Sequence, residues 1–277
     1  MNVIDFHTHI FPPEVVKSRE KYMHDPGFRI LYSSQNSLLS DYSGLADYIE
    51  KKNIGGAVIM SFPWQDERSC HLHNEYMASI SGYSGVYPFG MIPLKGNRNI
   101  MEYMKEIKES GLYGVGEIAF YNEGMSDNNI SFLREVLEAC SEYMMPLCLH
   151  VNEPVGHYYP GKYEPSLKQL YNLLKEVPDV VVVLSHWGGG LFLYELMPEV
   201  KISLANVYYD TAATPFLYGR DIYNIAVKIA GTDKIIFGSD YPLIGIDRYR
   251  QFIEDEVTSV EERKKIMSLN AMKVLRI

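Results

Sequence analysis

The sequence predicts one closed (β/α)8 barrel with a helix closing its C-terminal end. Apolar, strand-like runs alternate with helix-periodic stretches eight times along 277 residues. Such alternation builds a parallel sheet, and eight units in about this length are the signature of a closed barrel. No composition shift, low-complexity linker or glycine-rich phosphate loop divides the chain, so residues 1–277 read as a single domain. A doubly wound open sheet is the alternative architecture.

The first strand is Val3-Ile4-Asp5-Phe6-His7-Thr8-His9. Alternate side chains on a strand share a face, so His7 and His9 point the same way and can grip one metal. Residues 11–40 are polar and rich in Tyr and Ser without a sustained period, and read as a long loop over that strand's end. Residues 41–52 carry Leu45, Tyr48 and Ile49 at helical spacing. Gly55-Gly56 then breaks into the buried strand 57–62.

The alternation continues with helix 70–81, strand 86–92, helix 101–109, strand 114–118, helix 130–143, strand 146–151, helix 167–176 and strand 180–186. The last is a β-branched run typical of a strand covered on both faces. A weaker helix at 191–197, strand 207–210, helix 221–230, strand 234–240, helix 248–256 and a closing helix at 260–275 complete the pattern.

Hydrophobic residues make up 47% of the chain, ample for a large core, and the formal net charge is −9. That charge disfavours nucleic acid and anionic membrane as partners, leaving a small-molecule substrate. Cys70, Cys140 and Cys148 form neither a CxxC pair nor a disulfide framework, and read as reduced packing residues. With no signal peptide pattern and no apolar run of transmembrane length, the expectation is a cytoplasmic protein.

In such a barrel the chemistry gathers where the strands end. The first strand ends in His7 and His9, the fourth in Glu117, the fifth in His150, the sixth in His186 and the eighth in Asp240. All six candidate ligands open into one mouth. Imidazole and carboxylate donors suit Zn²⁺ or a similar first-row cation, with a position left for water. Taken singly, His150 reads as a core histidine and Asp240 as a turn former, and the coincidence of all six is what points to a metal.

His71 and His73 repeat the spacing of His7 and His9, but on a helix, where residues two apart diverge; they are left out. His24 is expected at the surface. His157, Trp187 and Arg220 are candidates for touching substrate, with Tyr121, Tyr158, Tyr159 and Arg248 as further wall or cation candidates, although packing and ordinary surface exposure are commoner roles for such residues. Asp5 either orients a ligand histidine from behind or lies one layer down in the barrel.

Asp5-Phe6-His7-Thr8-His9, Gly116-Glu117-Ile118, Leu149-His150, Leu184-Ser185-His186-Trp187-Gly188-Gly189 and Gly238-Ser239-Asp240-Tyr241-Pro242, in this order, resemble the amidohydrolase superfamily. Within it, the chain is most similar to the branch of TIM-barrel metal-dependent hydrolases that also contains aminocarboxymuconate-semialdehyde decarboxylase-like enzymes. The resemblance covers nearly the whole chain.

It implies that His7, His9 and Asp240 hold a first metal, that Asp240 exchanges a proton with the water there, and that His150 and His186 hold a second metal if one is present. Glu117 stands where two-metal members carry a bridging lysine or glutamate, like the glutamate of TatD-type deoxyribonucleases. Decarboxylases of the branch lack that carboxylate, hold one metal with the strand-one pair, the strand-five histidine and the strand-eight aspartate, and use the strand-six histidine in proton transfer. Glu117 therefore directs the expectation to a hydrolase of a small ester, lactone or amide acting through metal-activated water, with one or two divalent ions, zinc first. Asp240 and His186 are the expected catalytic residues. A one-metal nonoxidative decarboxylase is the alternative, and a catalytically dead binding protein the third reading. A homodimer is the expected assembly from the resemblance.

Overall fold

Eight parallel strands follow one another around a barrel in the computed structural model, which describes residues 2–277. They are β1 (Ile4–His9), β2 (Gly56–Met60), β3 (Val86–Pro88), β4 (Val115–Ile118), β5 (Leu147–Leu149), β6 (Val182–Leu184), β7 (Val207–Asp210) and β8 (Ile235–Ile236). Continuous pairing joins β1 to β3 and β4 to β8. Two seams close the ring. At one, Gly90 and Gly116 exchange bonds with the neighbouring strand, Gly90 N donating to Gly114 O and Gly116 N to Gly90 O, both at 2.9 Å. At the other, Phe6 N donates to Phe237 O (2.9 Å) and Asp240 N to His7 O (2.8 Å).

The barrel predicted from alternation is therefore observed, with strands shorter than their apolar runs. β8 shrinks most. Its next amide, Phe237 N, donates to Ile266 O at 2.8 Å instead of to a strand. That carbonyl belongs to a π turn, Lys265–Leu269, which splits the expected closing helix into Val260–Lys264 and Asn270–Leu275. Wider turns of this kind release a carbonyl from the helical ladder. The final helix packs Ala271, Val274 and Leu275 against Ile4, Tyr208 and Ile236, covering the end of the barrel opposite the strand C-termini.

Two layers of side chains separate inward from outward positions. Ile4, Phe6, Val58, Met60, Phe89, Cys148, Val183, Tyr208 and Ile236 fill the barrel, whereas Val3, Ile59, Val115, Leu147, Leu149, Leu184 and Tyr209 pack outward against the helices. Along β1 the register against β2 slips between Asp5 and Thr8, and along β4 the register against β5 slips between Val115 and Ile118. Each slip is a β-bulge, which breaks the two-residue alternation and re-aims side chains. One bulge sends His7 inward beside His9 while Asp5 stays in the outer layer. The other sends Glu117 inward between outward-facing Val115 and Ile118.

The segment expected as a long loop over β1 contains short helices at Pro13–Lys17 and Pro26–Tyr32, with a tighter turn at Arg19–Tyr22 between them. Pro26 starts the second of these, with Asp25 accepting from Phe28 N to cap it. These are too brief to leave a hydrophobic period in the sequence. The expected weak helix at 191–197 is also different: tight turns span His186–Leu196, and residues 187–190 take left-handed backbone conformations. Among the described residues no helix is long and apolar enough to cross a membrane.

Candidate metal centre

His7, His9, Glu117, His150, His186 and Asp240 converge at the C-terminal mouth. His7 Nε2 lies 2.9 Å from His9 Nε2. Asp240 Oδ1 is 3.4 Å from His9 Nε2 and 3.7 Å from His7 Nε2. On the far wall, His150 Nδ1 and His186 Nε2 are 3.2 Å apart.

Glu117 stands between these groups. Its Oε2 is 3.6 Å from His7 Nε2 and 3.7 Å from His9 Nε2, while its Oε1 is 3.2 Å from His150 Nδ1 and 3.8 Å from His186 Nε2. One carboxylate thus offers one oxygen to each pair of histidines.

The donor set fits a divalent cation. Asp210 Oδ2 accepts from His7 Nδ1 at 2.7 Å, and Ala212 O accepts from His186 Nδ1 at 3.0 Å. Each ring has its proton on the outer nitrogen, so both Nε2 lone pairs point into the cluster. No described residue partners His150 Nε2, so no acceptor holds this ring's proton on the outer nitrogen, and Nδ1 faces Glu117 Oε1 at 3.2 Å. A shared cation would satisfy these facing lone pairs and carboxylates together. Metal bonds of about 2.0–2.2 Å place neighbouring donors about 3 Å or a little more apart, as here.

The electrostatics agree. Burial opposes charge on His7, yet Glu117 and Asp210 outweigh it and hold the ring's pKa well above the ordinary value. Burial likewise opposes ionisation of Glu117 and Asp240, yet for Glu117 the charges of His7 and His150, and for Asp240 the His9 bond with the neighbouring imidazoles, keep each carboxyl below its usual range.

Asp240 and His186 also sit on strained backbone. Their φ values are 73° and 55°, in the left-handed region that costs a non-glycine residue about 1–3 kcal/mol. Bonds from Asp240 N to His7 O (2.8 Å) and from His186 N to Asp210 Oδ1 (2.9 Å) hold them there. Side-chain exposure separates the carboxylates: Asp240 is 14% exposed and Glu117 only 2%.

Asp210 is the member of this cluster that the sequence reading passed over. It ends β7, Oδ2 orients His7, and Oδ1 accepts from His186 N and from Ala212 N at 3.0 Å. The rule that found the other strand-end groups applied to Val207-Tyr208-Tyr209-Asp210 equally. Asp5, by contrast, contacts no ligand ring. It accepts from Ser239 N (2.8 Å) and from Tyr48 OH (3.1 Å), tying β1 to the segment after β8, and burial pushes its carboxyl up to about 6.

The three residues expected at the substrate do not join the cluster. Trp187 is fully buried, its Nε1 donating to Thr214 Oγ1 at 2.9 Å and its ring against Phe192 and Tyr223; the left-handed turn after His186 drives it into the core. Arg220 spends its guanidinium on Asp255 (2.9 Å) and Glu256 (3.2 Å) at the surface. His157 is exposed on the loop after β5, its ring beside Tyr159. Tyr121 does reach the centre, packing edge-on against His150 with ring centroids 5.2 Å apart. His73 is buried in a helix, its Nδ1 accepting from Trp64 Nε1, away from the cluster.

A parallel barrel with imidazoles and carboxylates gathered at its strand ends defines the class of metal-dependent barrel enzymes. The chain belongs to the amidohydrolase family: a family model described as Amidohydrolase matches residues 4–277. The fold is shared over 100% of this chain with 5-carboxyvanillate decarboxylase from Sphingomonas paucimobilis (TM-score 0.76, 13% identity, 99% of that chain). It is likewise shared over 100% of this chain with a manganese-bound dihydroxybenzoic acid decarboxylase from Polaromonas sp. JS666 (TM-score 0.71, 17% identity, 97% of that chain) and with a putative amidohydrolase from Staphylococcus aureus (TM-score 0.70, 17% identity, 100% of that chain). Among curated proteins, a fructose-bisphosphate aldolase from Staphylococcus epidermidis is 26% identical over 132 residues, 48% of this chain. The match spans 43% of that relative's length.

Proposed function

We propose that this enzyme is a divalent-metal-dependent nonoxidative decarboxylase of a small hydroxylated aromatic acid. The observation that carries the reading is the full-length likeness of this barrel, with its cluster at the strand ends, to decarboxylases that act on hydroxylated benzoates. The aromatic surroundings of the cluster add to it: Tyr121 packs on His150, and Phe62 stacks on Tyr121. The hydrolysis expected first from Glu117 becomes the second reading.

A cation held by His7, His9, His150 and Asp240 would supply Lewis acidity, polarising substrate oxygens. Manganese, present in one of the decarboxylases above, replaces zinc as the first ion to test. Asp240 faces the histidines through Oδ1, and its Oδ2 makes no hydrogen bond to a described residue. In this reading Asp240, ionised at rest, would take up a proton from solvent at the mouth and pass it to the ring carbon that bears the substrate carboxylate, returning to its ionised form. That C–C bond then breaks, its electron pair returns to the ring and CO2 leaves. Asp210 keeps His7 oriented throughout.

A specific observation favours hydrolysis as the second reading: the two oxygens of Glu117 face the two histidine pairs separately, which suits two ions. Glu117→Gln separates the readings. Under the two-ion arrangement, metal per chain, measured by inductively coupled plasma mass spectrometry, falls from two to one. Under decarboxylation the native protein holds one ion, and the variant keeps it. The direct test is CO2 release by manganese-loaded protein from a panel of 2-hydroxybenzoates, with small esters and lactones alongside. Turnover of esters without CO2 release from any benzoate would overturn the decarboxylase reading.

A further inference from the structure

Two phenols of the aromatic cluster that runs from Tyr32 through Phe62 and Tyr121 to His150 have no assigned role. Tyr121, just after β4, lies against His150. Tyr32 ends the short helix Pro26–Tyr32, packed on Phe28, Phe11 and Phe62 at centroid distances of 4.8, 5.3 and 6.1 Å. The same helix reaches Tyr121 through Gly27, where a Cβ would stand 3.3 Å from Tyr121 Cδ2. From the loop after β5, Gly161 approaches the other edge, a Cβ there standing 3.3 Å from Tyr121 Cδ1. Three segments of chain therefore fix these rings by packing.

Their hydroxyls are a different matter. Tyr48, Tyr163, Tyr209 and Tyr249 each donate a hydrogen bond within the fold. Tyr32 and Tyr121 donate none to any described residue, and neither oxygen is sealed in the core. Burial first, and then the charges of Glu117 and Asp240, push the pKa of both phenols up, so both stay protonated donors. A phenol fixed by packing, with an oxygen that is not sealed and no protein acceptor, is free to donate to a ligand in place of water.

We infer that Tyr32 and Tyr121 form a donor pair that holds an anionic oxygen of a carboxylate ligand at the metal centre, which makes them specificity-determining residues. They select a carboxylate over a neutral isostere because hydrogen bonds to a charged acceptor are the stronger ones. This rests on the reading above for the chemical class of ligand, a hydroxylated aromatic acid.

The test uses manganese-loaded full-length protein, Tyr32→Phe and Tyr121→Phe, which keep ring packing. Salicylate and its neutral counterpart salicylamide are titrated calorimetrically, and metal content is measured alongside. The expected result is salicylate binding about tenfold weaker in each variant, with unchanged metal content and salicylamide affinity within about twofold. Unchanged salicylate affinity in both variants, an equal loss for both ligands, or no salicylate binding by the native protein would each overturn the pair. CO2 release, read separately, isolates the parent reading: a native enzyme that decarboxylates while both variants bind salicylate normally sinks only the phenol pair. Selective loss of salicylate binding without any CO2 release sinks only the decarboxylase assignment.

Discussion

Asp240→Asn leaves a folded, metal-binding protein whose turnover falls by about 10²–10⁴-fold, the range that a positioned proton carrier contributes. Asparagine keeps an oxygen facing His7 and His9, where Oδ1 now stands 3.7 and 3.4 Å away, but an amide neither takes up nor delivers a proton near neutral pH. The expectation holds for either reaction, because both need a proton moved at the same place. Asp240 is also the only carboxylate of the cluster with appreciable exposure, 14% against 2% for Glu117. Metal content and turnover measured on the same sample check it. Near-native activity in the variant would remove Asp240 from the proton path.

Asp210→Asn weakens metal binding by about 10–100-fold, as loss of an outer partner of a ligand histidine does. The substitution is conservative in shape and inverts the chemistry at one atom. The amide oxygen can still accept from His186 N and Ala212 N, bonds that Asp210 Oδ1 makes at 2.9 and 3.0 Å. Toward His7 Nδ1, where Asp210 Oδ2 accepts at 2.7 Å, the variant side chain instead presents an N–H. His7 must then carry its proton on Nε2, which removes the lone pair that faces the cluster. A metal titration reports the loss, and an unchanged Tm of the metal-free protein separates it from misfolding. Equal metal affinity in native protein and variant would show that Asp210 does not set the tautomer.

The same sites show how far the sequence alone reached. The barrel was legible because alternating apolar runs and helical periods are local patterns that survive without neighbours. Six groups at strand ends were legible because a parallel barrel places every strand's C-terminal end at one mouth. Asp210 obeyed the same rule and was passed over as an ordinary strand end, so its role needed no new signal, only the contact with His7 to reveal it. Tyr32 was different, since a helix of seven residues, Pro26–Tyr32, is too short to mark itself in a polar stretch.

His7 and His9 share a face by simple alternation across Thr8, and what alternation misses is the placing of Asp5 and Phe6 before them. Strict alternation would have put Asp5 with them and Phe6 opposite; the bulge in β1 sends both Phe6 and His7 inward and leaves Asp5 to bond Ser239 and Tyr48 in the outer layer. The bulge in β4 likewise turns Glu117 into the cluster. A bulge is a mismatch in length between two paired strands, so it is a property of the pair and absent from either sequence read alone. Local patterns in the chain were enough to specify the barrel, the strand ends and the residue types that suit a cation. Tertiary pairing decided which of those side chains face one another, that Trp187 turns into the core, and that Arg220 is consumed by Asp255 and Glu256, because register and ion-pair choice depend on partners distant in the chain.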